Sequence, residues 1–187
     1  MLTQDSVPAN KNWLQNLLFG YTDESVAGVF GCHIPHVGHS SITDRYLQKH
    51  FEVMKTIPLR TNSDWVKSEG DIRRRQILHF FSNNNSSIRK SVWENFPFSP
   101  VSYGEDQVWA RLILEAGYSI NYQHDSVVRH SHIFNSIDSY KRRKTEINYF
   151  RRYFGYTLDL TIGQLVSTKL QKFAYDFRSV SYTHLTL

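Results

Sequence analysis

An acidic residue near the start of the chain has a neighbourhood in which a metal ion can bind. Asp5 lies in the segment Thr3-Gln4-Asp5-Ser6, and the spacing from Asp5 to Pro8 is a turn signal. In open α/β sheets, ligands bind outside the carboxyl ends of strands, where a carboxylate can hold a hard divalent cation together with a diphosphate. Taken alone, Asp5 fits a turn-forming role better than a metal-binding one.

Histidines form two further groups with the chemistry of metal ligands. On a strand, His130 and His132 point to the same face because side chains alternate with a period of two. Two imidazoles on one face can ligate a metal, and a polar strand end explains the pair equally well. The other group, His33, His36 and His39, lies in a segment with Gly and Pro and is predicted to be a solvated loop.

Two adjacent acids, Glu105 and Asp106, follow Gly104 at a predicted helix start. The helix dipole favours acids in a first turn whatever their function. Residues 99–103 indicate a loop that can present the pair to a ligand. A carboxylate held near an acceptor hydroxyl can act as a general base, so Asp106 is a candidate catalytic residue.

Three consecutive asparagines at 83–85 precede another predicted helix. Asparagine is a common helix cap, which is one explanation for the run. The amides also supply donors and acceptors for sugar hydroxyls, so Asn84 and Asn85 are candidate substrate-binding residues.

The chain is mildly basic, with 22 Lys and Arg against 17 Asp and Glu, a net charge of +5. Basic runs occur at 73–75, 141–144 and 151–152, and such runs are usually solvated faces. The last two lie on a predicted helix with aromatic residues, which is compatible with contact to polyphosphate or to the inner face of the plasma membrane. No nucleic-acid-binding signature is present, so no nucleic-acid partner is predicted.

Composition excludes several classes of protein. A single cysteine, Cys32, cannot form an internal disulfide or a cysteine-rich zinc site, which favours a reducing compartment. No run approaches 18 apolar residues, and the N-terminal residues lack the pattern of a signal peptide. We therefore expect a cytoplasmic protein, with peripheral membrane contact as an open alternative.

Hydrophobic patterning predicts an α/β domain in which helices and strands alternate. The predicted elements are a helix at 13–18, a strand at 26–34, a helix at 42–53, a loop at 62–70, a strand at 77–81, a helix capped by Ser86 or Ser87 and ended by Pro97, a helix at 105–116, strands at 118–122 and 127–130, and helices at 137–154 and 158–177.

Taken in order, these segments are similar to the inverting family 2 glycosyltransferases, and most closely to their rhamnosyltransferase-like branch. The matching segments are 2–8, 13–14, 80–93, 97–98, 104–110, 117–118 and 127–132. The resemblance implies a GT-A fold, which is a Rossmann-like mixed sheet flanked by helices. It also implies a nucleotide-diphosphate-sugar donor, a saccharide or lipid-linked acceptor, and Mg²⁺ or Mn²⁺.

The same resemblance assigns a role in metal binding to Asp5 and to the pair His130 and His132. Asp5 matches the last acid of the Asp-Xaa-Asp element that holds metal and donor diphosphate, whereas Thr3 replaces the first acid. His130 or His132 matches a position where some relatives place another metal ligand.

For the acceptor side, the resemblance assigns Asp106 as the catalytic base and Glu105 as its neighbour in acceptor binding. Trp109 matches a residue that shapes the acceptor side. The implied reaction is a single displacement with inversion, in which a sugar is transferred during cell-surface polysaccharide synthesis. The suggested sugar is rhamnose.

In the family that the chain resembles, nucleotide-recognising strands precede the Asp-Xaa-Asp element, so with Asp5 near the N-terminus the resemblance implies that this part of the domain is missing. We expect residues 1–155 to be the C-terminal part of a GT-A domain, 156–179 to be a helical extension, and 180–187 to be a non-native tail. Such a chain is expected to be inactive by itself. The alternatives are a non-catalytic module that binds carbohydrate or polyphosphate, and a basic scaffold at the inner membrane face.

Overall fold

A computed structural model describes residues 1–38, 41–132 and 136–156, which form a mixed sheet flanked by helices. The elements are β1 (Val7–Pro8), α1 (Trp13–Leu18), β2 (Val26–Ile34), α2 (Ser41–Lys55), β3 (Leu59–Arg60), α3 (Asn62–Lys67), α4 (Ile72–Leu78), β4 (Ser86–Ile88), α5 (Lys90–Asn95), α6 (Glu105–Glu115), β5 (Ser119–Arg129) and α7 (Ser136–Phe154). This architecture confirms the predicted α/β class.

The sheet is built around one parallel pair of strands, β2 and β5. Strands β1 and β3 pair antiparallel with β5, and β4 pairs antiparallel with β2. Ile34 and Val7 both pair with Arg129, so the carboxyl ends of β2 and β5 and the start of β1 meet at one edge. Ligands bind at this type of edge in open α/β sheets.

Helix α6 packs its apolar side into the core beneath the sheet. Trp109, Ile113 and Leu114 are at most 1% exposed, as is Phe81 next to the Trp109 ring. A Cβ atom at Gly28 would lie 2.9 Å from this ring, so a glycine in β2 allows the indole to approach the strand. Burial of this face holds α6 against the sheet and so fixes where its first turn lies.

Two predicted elements were wrong. Within the predicted loop at 62–70, residues 62–67 form helix α3, because Thr61 and Asp64 make a capping box that satisfies the first backbone amides. Residues 77–81 are not a strand: α4 includes Ile77 and Leu78, and Asp71 caps the helix by accepting from Arg74 N.

A third correction concerns the helix cap predicted at Ser86 or Ser87. Neither Ser86 nor Ser87 caps a helix, because both belong to strand β4, whose residues pair with Phe30 and Val29 of β2. The strands predicted at 118–122 and 127–130 join into β5, with an irregularity where Gly31–Cys32 faces Gln123–Val127.

The predicted helices at 42–53, 105–116 and 137–154 are confirmed as α2, α6 and α7. The predicted helix at 158–177, the rest of the extension after residue 156, and the tail at 180–187 lie outside the described residues. In the described part of the chain, no helix has the length and apolar character needed to cross a membrane.

Candidate active site

The structure brings Asp5, His130 and His132 together at the edge where β5 ends. Asp5 Oδ2 lies 3.5 Å from His130 Nδ1 and 3.7 Å from His132 Nε2. One ligand atom from each residue lies within 4.8 Å of the others. Because β1 runs antiparallel to β5, the turn before β1 meets the residues that follow β5. A carboxylate and two imidazoles at this spacing fit a single divalent cation.

The surroundings of this metal set, Asp5, His130 and His132, favour the protonation states that bind metals. A hydrogen bond from Thr3 lowers the pKa of Asp5, and the charge of His130 lowers it further. Burial lowers the pKa of His130, although Asp5 opposes the shift. Metal ligation needs an ionised carboxylate and neutral imidazoles, so both shifts favour it at neutral pH.

Two histidines predicted to lie in a solvated loop are part of this neighbourhood. His36 Nε2 lies 3.2 Å from the carbonyl oxygen of Asp5. His33 is 6% exposed, and its ring packs edge-on 5.5 Å from that of His130. His33 belongs to strand β2 and is buried, so the solvated-loop prediction was wrong for this residue, and this burial lowers its pKa to about 3. The third residue of that group, His39, lies outside the described residues.

The acidic pair lies at the first turn of α6, where the asparagine loop contacts it. Gly104 precedes the helix with a left-handed φ of 68°. Asn83 N donates to Asp106 Oδ2 at 3.2 Å, and Asn83 Nδ2 donates to Glu105 Oε1 at 3.0 Å. These bonds fix the two carboxylates relative to the loop that also contains Asn84.

Asp106 has the electrostatics of a general base that works near neutral pH. Burial raises its pKa to about 6, and the negative charge of Glu105 adds to the shift. The backbone amide of Asn83 opposes the shift, because it stabilises the carboxylate. A base is most efficient when its pKa lies near the working pH, so this environment suits proton abstraction.

The acidic pair and the metal set line two clefts that share lining residues. A cleft of about 670 Å³ is lined by Glu105, Asp106, His130 and His132, among others. A smaller cleft of about 480 Å³ contains Asp5. The residues that line both clefts are Asn84, His130, His132 and Arg142. The structure thus joins the predicted base and the predicted metal ligands in one site.

Two predicted substrate-binding residues lie away from these clefts. Trp109 is 1% exposed, and its Nε1 donates to the carbonyl of Phe96 at 2.8 Å. Asn85 is fully buried and accepts from Trp13 Nε1 at 2.7 Å, while its own amide donates to Ser126 O at 2.8 Å. Both residues stabilise the scaffold in this structure, whereas Asn84 lines the clefts.

Helix α7 contributes residues that the sequence did not identify as part of a site. Arg142 lines both clefts, whereas the sequence placed it in a basic run compatible with contact to polyphosphate or a membrane and did not connect it with Asp5 or Asp106. Its Nε donates to Glu146 Oε1 at 3.2 Å, and Tyr103 OH donates to the same oxygen at 3.3 Å. Tyr149 OH donates to Gly104 O at 2.6 Å, which links α7 to the start of α6.

Comparison with curated proteins found two relatives of the same kind. The chain is 28% identical over 144 residues to the O-antigen chain rhamnosyltransferase RfbN of Salmonella typhimurium. It is 32% identical over 145 residues to the O-antigen chain rhamnosyltransferase WbaN of Salmonella anatum. Each alignment covers 75% of this chain and 43% of the relative, so the chain spans less than half of the relatives' length.

No family model matches the chain, and no solved structure matches it. The aligned region of about three quarters of the chain nevertheless agrees with the resemblance drawn from its motifs. The chain is therefore a homologue of these two O-antigen chain rhamnosyltransferases over about three quarters of its length.

Proposed function

We propose that this chain provides the catalytic base and the metal-binding edge of an inverting glycosyltransferase. The proposed reaction moves a sugar from a nucleotide-diphosphate donor to a saccharide or lipid-linked acceptor in cell-surface polysaccharide synthesis. Rhamnose is the proposed sugar because both relatives are named rhamnosyltransferases. The observation that carries the proposal is that Asp106, His130 and His132 line one cleft.

In the proposed mechanism, Asp106 removes the proton of the acceptor hydroxyl. The hydroxyl oxygen attacks the anomeric carbon of the donor as the bond from that carbon to the diphosphate oxygen breaks. The proton passes to the Asp106 carboxylate, and the nucleoside diphosphate leaves with the bonding electrons. Because attack and departure occur on opposite faces, the anomeric configuration inverts, and no covalent enzyme intermediate is needed.

The metal set is proposed to hold a divalent cation next to the leaving group. When bound, such an ion acts as a Lewis acid that offsets the charge developing on the diphosphate. Asp5, His130 and His132 supply one oxygen and two nitrogen ligands. Imidazole nitrogen suits Mn²⁺ better than Mg²⁺, which prefers oxygen ligands, so Mn²⁺ is the proposed ion.

The catalytic step is tested by replacing the base in a full-length protein that contains this chain and transfers the sugar. We expect Asp106→Asn to lower the transfer rate by about 100-fold to 10,000-fold, the usual contribution of a general base. Glu115→Gln is the matched control, because Glu115 lies on the same helix and pairs with Arg111 at the surface. Its transfer rate should equal that of the wild type.

Two results would contradict this proposal. An unchanged rate in a folded Asp106→Asn protein would remove Asp106 from the role of base. Binding of nucleotide sugars by the wild-type protein without any transfer would favour a non-catalytic binding module. Circular dichroism of both variants separates a loss of chemistry from a loss of folding.

A further inference from the structure

We propose that Arg142 of helix α7 binds the diphosphate group of the donor, beside the metal set. The inference rests on the proposed function, because it names the group that this part of the cleft receives. It gives α7 a direct part in donor binding.

The position of Arg142 is the first observation that supports this role. Arg142 lines the small cleft together with Asp5, His130 and His132, and it also lines the larger cleft that contains Asp106. A group bound between the metal set and the base would therefore meet its guanidinium.

The side chain is also held in place. Arg142 Nε donates to Glu146 Oε1 at 3.2 Å, and Glu146 is itself fixed by the hydroxyl of Tyr103 at 3.3 Å. Glu146 lies one helical turn further along α7, so the ion pair orients the guanidinium from the helix side. Arginine presents a planar fork of donors that matches phosphate oxygens, and preorganisation reduces the entropy lost on binding.

Charge gives a further argument. Arg142 lines the same small cleft as Asp5, His130 and His132, so its positive charge lies beside the metal set. The field of Arg142 therefore reaches the metal set, where a cation repels a bare metal ion. An anion such as a diphosphate removes this conflict, because it binds the metal ion and the guanidinium together. Arg142 thus favours the metal–diphosphate complex over the metal alone.

The neighbouring Arg143 supplies a matched control. It lies on the same helix and also faces Glu146, with its Nη1 3.8 Å from Oε2. Its side chain is 73% exposed, against 42% for Arg142, and it lines neither cleft. Removal of either arginine changes the net charge by the same amount, but only Arg142 reaches the site.

The experiment is calorimetry on the 187-residue chain with two probes, Mn²⁺ alone and the preformed complex of Mn²⁺ with inorganic pyrophosphate. We expect Arg142→Ala to weaken binding of the complex by about tenfold, the loss expected for one charged hydrogen-bonding partner. Binding of Mn²⁺ alone should stay the same or become tighter. Arg143→Ala should match the wild type with both probes.

The outcomes separate this inference from the proposed function. If wild-type chain binds no Mn²⁺, the metal site of the proposed function fails, and the inference fails with it. If Mn²⁺ binds but Arg142→Ala and wild type bind the complex equally well, only the inference is overturned. An equal loss in Arg142→Ala and Arg143→Ala also overturns it, because it shows general attraction by α7. Arg142→Gln provides the same measurement if Arg142→Ala unfolds.

Discussion

At the scale of residues, two adjacent asparagines have different roles. Asn85 is fully buried and joins Trp13 to the carbonyls of Cys32 and Ser126, whereas Asn84 lines the clefts. We expect Asn85→Ala to lower the free energy of unfolding by about 2 kcal/mol or more, because it leaves several buried polar groups without partners. Asn84→Ala should change stability little. Urea unfolding of both variants tests this, and equal losses would contradict it.

The pH dependence of transfer should reveal the environment of Asp106. Its pKa is raised to about 6 by burial and by Glu105, so transfer should fall as the pH drops below about 6 and the base becomes protonated. Glu105→Gln removes the negative neighbour, so the pKa of Asp106 should decrease and the acidic limb should move to lower pH. Profiles of kcat against pH for the full-length wild type and its Glu105→Gln variant measure the shift, and an acidic limb at the same pH in both would contradict it.

The same residue should make stability depend on pH. Burial raises the pKa of Asp106 to about 6 in the folded chain, against the ordinary value of 3.8 that applies to the unfolded chain. The folded state therefore binds the proton more tightly than the unfolded state does. This stabilisation is complete below about pH 4 and is lost as the pH rises through 6. The side chain in the Asp106→Asn variant does not ionise, so this variant does not lose stability as the pH rises. It should therefore melt at a higher temperature than the wild type at pH 7. The advantage should shrink at pH 4, and thermal melts at both pH values measure it.

At the scale of elements, the start of α6 depends on its contact with α7. A Cβ atom at Gly104 would strike the Tyr149 ring, 2.6 Å from its hydroxyl oxygen, and Gly104 also has a φ of 68°. We expect Gly104→Ala to displace the first turn and to lower both the melting temperature and the transfer rate.

Gly117→Ala is the control for this change. Gly117 ends the same helix with a φ of 94°, but a Cβ atom there would have no neighbour within 4 Å. Both variants have the backbone strain of a left-handed residue, and only Gly104→Ala has the clash. Transfer should therefore fall in Gly104→Ala alone. Equal rates in the two variants would show that the Tyr149 contact does not position the acids.

Two of the elements that the sequence predicted have a strong hydrophobic pattern. Strand β2 buries most of its residues, and helix α6 buries Trp109, Ala110, Ile113 and Leu114 on one side, so their patterns are clear. Helix α3 was missed because it is short, and its start is set by the Thr61 and Asp64 side chains. In α4, three arginines precede Ile77 and Leu78, so the apolar end alone resembled a strand.

At the scale of the whole molecule, the site joins segments that are distant in sequence. Sequence motifs predicted Asp5, Asp106 and the histidine pair, because their residue types suggest a chemistry. The sequence did not predict that Arg142 faces the same clefts, because this depends on how α7 lies against the sheet edge. It also could not show that Trp109 and Asn85 are scaffold residues, since burial is a property of the folded chain.

This long-range assembly means that a metal ion should stabilise the entire fold. Asp5 and His130 come together only when β1 pairs with β5, so the unfolded chain lacks the site. Ligand binding to the folded state alone adds about 2.7 kcal/mol at 100 times Kd. Mn²⁺ should therefore raise the melting temperature of the wild type by several degrees, and Asp5→Ala and His132→Ala should lose this effect.

The control for this last prediction is His124 of strand β5, the strand that the two histidines of the metal set follow. His124 is exposed and lies 3.1 Å from Asp125, away from the metal set. His124→Ala removes an imidazole that can bind metal weakly at the surface, so it should keep the full shift with Mn²⁺. Mg²⁺ should produce a smaller shift, because the site offers two nitrogen ligands. A shift that is the same in all four proteins would show that Mn²⁺ binds elsewhere and that these three residues do not form a metal site.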